Sequence, residues 1–116
     1  MKPVVVRRDF VRMRMPWSRA ASQGANVLHG GAVVALADTC AAVGTIHQLP
    51  EGYTTVTSEL KINFLGNIKK GAALAEARLL HGGRLTMVWE VKVYEEGTRR
   101  LLAAATMTFI LLQARA

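Results

Sequence analysis

The residues with the clearest chemical potential lie in one short segment, "NVLHGGAVVALADTC", which spans residues 26–40. A single carboxylate, Asp38, stands eight positions after Gly30, among alanines, valines and a leucine that predict an otherwise apolar helix. Burying an unpartnered carboxylate is costly, and alanine would pack there equally well. Asp38 is therefore a candidate for proton transfer or nucleophilic attack. The structural alternative is a hydrogen bond to a neighbouring strand or helix.

The other metal-ligating and nucleophilic side chains form no comparable group. His47 and His81 have no acidic or cysteine neighbours at metal-ligand spacing, so the sequence predicts no metal site. Cys40 is the single cysteine and cannot form an internal disulfide. Its neighbours are apolar, which favours a core-packing role in a reducing cytoplasm.

Charge narrows the class of partner. The formal net charge is +7, and six of the fifteen basic residues lie within the first twenty positions. Such a surface attracts polyanions or a phosphorylated small ligand, although ordinary solvated charge explains it equally well. Nucleic-acid binding is disfavoured, because aromatic residues make up 6% of the chain and no stacking or zinc motif occurs.

Neither apolar segment of the chain predicts export or membrane insertion. The N-terminal "MKPVVVRRDF" has too short an apolar run for a signal peptide. The longest apolar run, Ala32 to Leu49, contains Asp38, which would be costly in hydrocarbon. We therefore expect a cytoplasmic protein.

The elements that position these residues follow from hydrophobic periodicity. The chain has the length of one domain, residues 1–116. A half-exposed strand is predicted at "FVRMRM", ending at Pro16, and a helix from His29-Gly30-Gly31 to about His47, before the turn at Pro50 and Gly52.

From Thr54 onward the pattern has period two, which predicts strands. The first strand has a buried face of Val56, Ser58, Leu60, Ile62 and Phe64 and an exposed face of Thr57, Glu59, Lys61 and Asn63. Further strands are predicted at Ala72 to Leu80, Leu85 to Val93, and Leu101 to Leu112, the last of them central. The order strand, helix, four strands, with short turns, predicts an α+β fold in which an antiparallel sheet of five strands curls around one helix.

With these landmarks the sequence resembles the hotdog-fold thioesterases, in particular the branch of the phenylacetate-pathway and aryl-CoA thioesterases. The resemblance covers about residues 23–112. It rests on "LHGG" followed by "ALADT", on "VTSELKINFL", on the turn glycine Gly71, on "HGGR", and on "LAAATMTF". It implies the hotdog fold, an antiparallel β-sheet wrapped around one long central helix.

The resemblance also implies catalytic roles. Gly30 would present its backbone N–H, at the positive end of the helix, to the thioester oxyanion. Asp38 would act as a nucleophile or as a general base for water. Gln23, six residues before His29, would contact the carbonyl or the water, with Asn26 as the alternative amide. His29 would hold the loop by hydrogen bonding.

Further roles concern a hydroxyl and the coenzyme. Thr57 matches a hydroxyl that assists the water in some relatives. By alternation it points away from Val56 and Leu60, so its reach to the site would depend on a dimer partner. Candidate substrate and coenzyme A contacts are Gly31, Lys69, Lys70, Arg84, Arg99 and Arg100.

The function implied is hydrolysis of an aryl- or medium-chain acyl-CoA, without a metal or redox cofactor. The resemblance implies a homodimer that builds each site from Asp38 of one chain and Gly30 of the other, with dimers stacked into tetramers. The alternatives are a non-catalytic acyl-CoA-binding hotdog module that regulates a partner, and a hotdog dehydratase. The intact Asp38 disfavours the first, and the missing histidine beside it disfavours the second.

Overall fold

The computed structural model describes residues 1–114 as one antiparallel sheet of six strands and one long helix. The strand order is β1-β2-β4-β5-β6-β3, so β1 and β3 form the two edges, and the helix α1 contacts every strand. This confirms the predicted α+β hotdog architecture. In chain order the elements are β1 (Lys2–Val6), β2 (Phe10–Pro16), a 3-10 turn (Gly24–Asn26), α1 (Gly30–His47), β3 (Tyr53–Phe64), β4 (Ala72–Gly82), β5 (Thr86–Glu95) and β6 (Leu101–Gln113).

The helix α1 lies where the sequence predicts it. His29, which precedes it, has extended backbone angles, and its Nδ1 accepts a hydrogen bond from the Gly31 N–H at 2.8 Å. By length and hydropathy α1 could cross a membrane, but its buried side is packed against the sheet, as in the core helix of a globular domain. That side consists of Val33, Leu36, Ala37, Cys40, Ala41, Gly44 and Thr45.

Small residues let the helix approach the sheet closely. A Cβ added at Gly44 would lie 2.5 Å from Trp89 Cη2. The Trp89 indole is fully buried, and its Nε1–H donates to Thr45 Oγ1 at 2.9 Å. Cys40 is also fully buried, and burial raises the pKa of its thiol to about 12. Cys40 therefore packs the core as expected.

The strand count differs from the prediction. The sheet has six strands, because the short segment Lys2–Val6 pairs antiparallel with β2 and extends the sheet by one edge strand. The predicted central position of the last strand is confirmed, since β6 lies between β5 and β3.

The two faces of β3 also differ from the prediction. Nearly the whole strand is exposed, because β3 is the edge strand with no neighbour on its outer side. A β-bulge interrupts the alternation between Thr57 and Glu59. As a result, Thr57 pairs with Phe109 and Leu60 with Met107, two buried core residues. Thr57 and Leu60 consequently share the face toward α1, and the predicted separation of these two residues was wrong.

Candidate active site

The carboxylate of Asp38 is held by a hydroxyl from the edge strand. Asp38 lies half-buried in the middle of α1, and Thr57 Oγ1 donates a hydrogen bond to Asp38 Oδ1 at 2.8 Å. The bulge after Thr57 turns this side chain to the helix, so the contact forms within one chain. The second oxygen, Oδ2, makes no hydrogen bond with residues 1–114.

The start of α1 presents a backbone donor. The first N–H groups of a helix have no intrahelical acceptor. The Gly31 N–H is satisfied by His29 Nδ1, whereas the Gly30 N–H finds no acceptor within the described part of the chain. The Phe64 ring lies directly against Gly30, because an added Cβ there would meet Phe64 Cζ at 3.4 Å. The arrangement leaves one N–H at the positive end of the helix, beside an exposed aromatic ring.

His29 occupies a structural position. Its ring nitrogen Nδ1 caps α1, and its own backbone N–H donates to the Ala21 carbonyl at 2.8 Å. Since Nδ1 accepts a hydrogen bond, the proton of the neutral ring is on Nε2. His29 thus holds the preceding loop to the helix, which is the role the resemblance implies.

Gln23 and Asn26 lie in that loop, which a bridge between Ser22 and Leu28 closes. The Gln23 side chain is exposed and makes no hydrogen bond within residues 1–114. Asn26 has a left-handed backbone with φ of 61°, and its carbonyl accepts a hydrogen bond from Trp17 Nε1 at 2.8 Å. Asn26 therefore shapes the loop, whereas Gln23 keeps a free amide.

One chain cannot bring Gly30 and Asp38 to the same atom. The two residues are eight positions apart in α1, which corresponds to about 12 Å along the helix axis. A reacting carbonyl has to lie about 3 Å from both the oxyanion donor and the attacking group. The two halves of the site are therefore present in each chain but lie too far apart to act together.

The candidate coenzyme-binding residues fall at opposite ends of α1. Lys69 and Lys70 follow Ile68, whose carbonyl accepts a hydrogen bond from the Leu28 N–H, two residues before Gly30. The Arg100 guanidinium donates to the Asn67 carbonyl in the same loop. The structure therefore places Lys69, Lys70 and Arg100 near the start of α1.

Arg84 and Arg99 are placed differently. Arg84 lines a cavity together with Gln48, just past the C-terminal end of α1, roughly 27 Å from its start. Arg99 is occupied by two hydrogen bonds to the buried carboxylate of Glu76, each 3.1 Å long, and lies 4.3 Å from the Tyr94 ring centroid.

Glu76 is a buried charge that the sequence reasoning missed. Its side chain is 5% exposed on β4, and Arg12 Nε also contacts it at 2.9 Å. The hydrogen bond from Arg99, and then that from Arg12, hold the pKa of Glu76 below its usual value despite burial. The group faces away from α1 and stabilises the sheet.

Within residues 1–114, no three histidine, cysteine or acidic side chains converge in a way that could hold a metal ion. Asp38, Thr57, Gly30 and Gln23 carry groups that can take part in hydrolysis at a carbonyl. Gly30 can stabilise an oxyanion, and Asp38 can attack carbon or activate water.

Comparisons with known proteins show the family of the chain. Residues 25–102 match the family model of the thioesterase superfamily. The proofreading thioesterase EntH of Klebsiella pneumoniae is 34% identical over 102 residues, which cover 88% of this chain and 74% of that protein. The 1,4-dihydroxy-2-naphthoyl-CoA hydrolase of Listeria monocytogenes is 32% identical over 88 residues, which cover 76% and 71% of the two chains.

Solved structures are similar over nearly the whole fold. A thioesterase from Haemophilus influenzae superposes with a TM-score of 0.91 at 27% identity, covering 98% of this chain and 79% of that one. A Bacillus halodurans protein, solved with CoA, superposes with a TM-score of 0.84 at 31% identity, and the match covers 90% of this chain and 69% of that one.

Proposed function

The chain belongs to the thioesterase superfamily, and we propose that it hydrolyses an aryl- or medium-chain acyl-CoA to the free acid and coenzyme A. The observation that carries the proposal is the half-buried Asp38 carboxylate, which Thr57 holds by one oxygen while the other makes no hydrogen bond within residues 1–114. An acyl-CoA substrate is supported by the CoA in the Bacillus halodurans structure and by the aryl-CoA named for the Listeria hydrolase.

The proposed reaction uses backbone and side-chain groups from two copies of this chain. The Gly30 N–H stabilises the oxyanion as the carbonyl is attacked, either by Asp38 or by a water that Asp38 deprotonates. Gln23 orients the carbonyl or the water. The C–S bond then breaks, and coenzyme A leaves as a thiolate, which needs little acid assistance because thiol pKa values lie near 8 to 9. When water attacks, this step gives the free acid directly. When Asp38 attacks, it gives a mixed anhydride between Asp38 and the acyl group, which a water molecule then hydrolyses to release the acid and regenerate the carboxylate. The proposed mechanism thus requires no metal or redox cofactor.

We further propose that the active unit is a homodimer paired through β3. One edge of β3 has unpaired backbone groups, which favours pairing with another strand. The surface around β3 also exposes large apolar side chains, which a second copy would cover. They are Ile46 (59% exposed), Val56 (49%), Leu60 (37%), Phe64 (53%), Leu65 (59%) and Leu112 (43%).

The geometry of α1 supports the same assembly. Two antiparallel copies of the helix, related by a two-fold axis, can bring Gly30 of the partner subunit to Asp38 and close the gap of about 12 Å. Each dimer would then hold two complete sites. We also propose that dimers pair into tetramers. We further propose that the protein works in the cytoplasm, because its buried Cys40 is a free thiol and the cytoplasm keeps thiols reduced.

The catalytic proposal is tested by thiol release from acyl-CoAs with short, medium, long and aryl groups. We expect wild type to turn over aryl or medium-chain members, and Asp38→Ala to lose roughly 100-fold or more in kcat/KM. Glu51→Gln removes an exposed carboxylate from the turn after α1 and is the matched control. Circular dichroism and light scattering must show that each variant stays folded and associated.

Two results would contradict the catalytic proposal. Turnover of no acyl-CoA by wild type, combined with saturable acyl-CoA binding, would favour the non-catalytic binding module. Full activity in Asp38→Ala would remove the role given to that carboxylate.

The dimer is tested with Leu60→Lys, which places a charge on the apolar face of β3. We expect this variant to sediment as a monomer and to lose hydrolysis together with assembly. Leu80→Lys is the control, because Leu80 is 59% exposed on β4, away from β3. An active Leu60→Lys monomer would disprove the shared site.

A further inference from the structure

The cavity that Gln48 and Arg84 line lies beyond the C-terminal end of α1. It encloses about 280 Å³ between the residues that follow α1, the start of β3 and the turn between β4 and β5. Gln48, which lines it, is ten positions past Asp38, so the cavity is about 15 Å from the catalytic carboxylate along the helix. It is therefore separate from the thioester site within one chain.

The floor of this cavity is apolar. Met87 and Leu111 line it with side chains that are only 6% and 4% exposed, and Pro50 and the half-buried Tyr53 complete the wall. Displacing water from such a surface favours a ligand with an apolar body. A volume just below the usual range for small-molecule sites, roughly 300–1,000 Å³, limits that body to a small group.

The rim of the cavity is cationic. Arg8 and Arg84 both line it, and neither has a carboxylate within 4.0 Å among residues 1–114. Other arginines of the chain do have a carboxylate partner. Arg14, for example, forms an ion pair with Glu96, with 2.7 Å between Nε and Oε2. Two guanidinium groups that lack a carboxylate partner among residues 1–114 lie at one cavity, and together they favour an anionic ligand.

The end of α1 does not cancel this charge. A helix C-terminus is equivalent to roughly half a negative charge, whereas the two arginines contribute two full positive charges. Gln48 also covers the last carbonyls, since its backbone N–H donates to Thr45 and its side-chain amide to Gly44 at 3.1 Å. The same amide donates to the Arg8 carbonyl at 2.6 Å and so holds the Arg8 backbone beside the end of α1.

We propose that this cavity is a binding site for a small amphipathic carboxylate, with its apolar body on Met87 and Leu111 and its carboxylate between Arg8 and Arg84. The ligand class follows from the lining residues alone and does not depend on thioester hydrolysis. The free acids released from acyl-CoAs belong to this class, so the site would also give the product a second place to bind.

Methionine methyl NMR tests the proposal on the intact chain. The chain has five methionines, so the spectrum of protein labelled with ¹³C at the methionine methyl has five signals, and Met87→Leu assigns the reporter. Phenylacetate and octanoate are titrated to about 10 mM, the range of weak small-ligand binding. The expected result is a saturable shift at Met87, while the signals of Met13 and Met107 remain unchanged.

Matched ligands and variants define the site. Phenylacetamide and octanamide have the same apolar body without the charge, and inorganic phosphate has charge without the body; each should bind roughly tenfold more weakly or worse. Arg8→Gln and Arg84→Gln should each weaken carboxylate binding roughly tenfold. Arg78→Gln is the control for net charge, because Arg78 lies against Phe10 in a different depression and should bind like wild type.

Several outcomes would overturn the proposal. They are the absence of a Met87 shift, equal binding of the amides or of phosphate, and an equal effect of Arg78→Gln. Repeating the titration with Asp38→Asn separates this site from the catalytic one, because the Met87 shift should persist when hydrolysis is lost. Loss of the shift in that variant would assign the ligand to the active site instead.

Discussion

The hydroxyl of Thr57 donates a hydrogen bond to Asp38 Oδ1 at 2.8 Å, and this bond connects the edge strand to the middle of α1. It fixes one carboxylate oxygen and leaves the other without a hydrogen bond among residues 1–114. The contact exists because a bulge after Thr57 brings two residues from opposite predicted faces of β3 onto one face.

Replacing Thr57 should show whether its hydroxyl positions the Asp38 carboxylate without contributing to substrate binding. Thr57→Val keeps the shape of the side chain but removes the donor, so kcat should fall roughly tenfold while KM changes little. Thr57→Ser keeps the donor and should retain most of the activity. Steady-state thiol release gives both constants. A kcat in Thr57→Val equal to that of wild type would show that the hydroxyl only fills space.

Gly30→Ala should reduce activity without unfolding the chain. The added methyl would meet Phe64 Cζ at 3.4 Å, an ordinary contact distance, so stability should change little. The same methyl would stand beside the free N–H and keep the thioester away from it, which should cost on the order of 100-fold in kcat/KM. Gly24→Ala is the control, since an added Cβ there meets nothing within 4 Å. A fully active Gly30→Ala would exclude this N–H as the oxyanion donor.

Acid stability should depend on Glu76. The pKa of this carboxyl is lowered, chiefly by its hydrogen bond with Arg99, so the folded state binds its proton less readily than the unfolded state does. The stabilisation is present above the unfolded pKa of about 4.3 and is lost as pH falls through the lower folded value.

The corresponding variant is Glu76→Gln. It should cost about 1–2 kcal/mol at pH 7, less than for a fully buried pair because Arg12 and Arg99 are 34% and 53% exposed. The difference from wild type should shrink below about pH 4, which urea unfolding at several pH values measures. A difference independent of pH would indicate a packing effect rather than the carboxylate charge.

Gly44→Ala should destabilise the core. Alanine is favoured over glycine in a helix by about 1 kcal/mol, but the added methyl would stand 2.5 Å from Trp89 Cη2. The indole cannot shift freely, because it is fully buried and bonded to Thr45. Overpacking costs about 1–3 kcal/mol, so we expect a net loss of stability. Thermal unfolding beside Gly24→Ala checks this, and an unchanged Tm would show that the helix moves away from the sheet at little cost.

The sequence predicted the parts of the fold that local patterns control. The helix from Gly30 to His47 follows from one apolar run bounded by glycines and by Pro50. Asp38 stood out because it is the one charge in that run. These signals lie within a few residues of the features they predict, which is why they could be interpreted from one chain.

The wrong predictions depended on contacts between distant segments. A bulge depends on how β3 pairs with β6, so alternation alone placed Thr57 on the wrong face. Residues Lys2–Val6 form a strand only because β2 offers them an edge. The ion pair of Arg12 and Glu76 joins positions 64 residues apart, and no local pattern reveals it. The position of Arg84, at the far end of α1 from the other candidate cations, likewise depends on the tertiary fold.

The distance of about 12 Å between Gly30 and Asp38 on one helix has a consequence for inactive variants. If each site takes Gly30 from one subunit and Asp38 from the other, Gly30→Ala and Asp38→Asn damage different halves of it. A mixed dimer of the two variants has one site with both defects and one site with none. Exchanging subunits between two inactive preparations should therefore restore activity, to about a quarter of wild type when pairing is random.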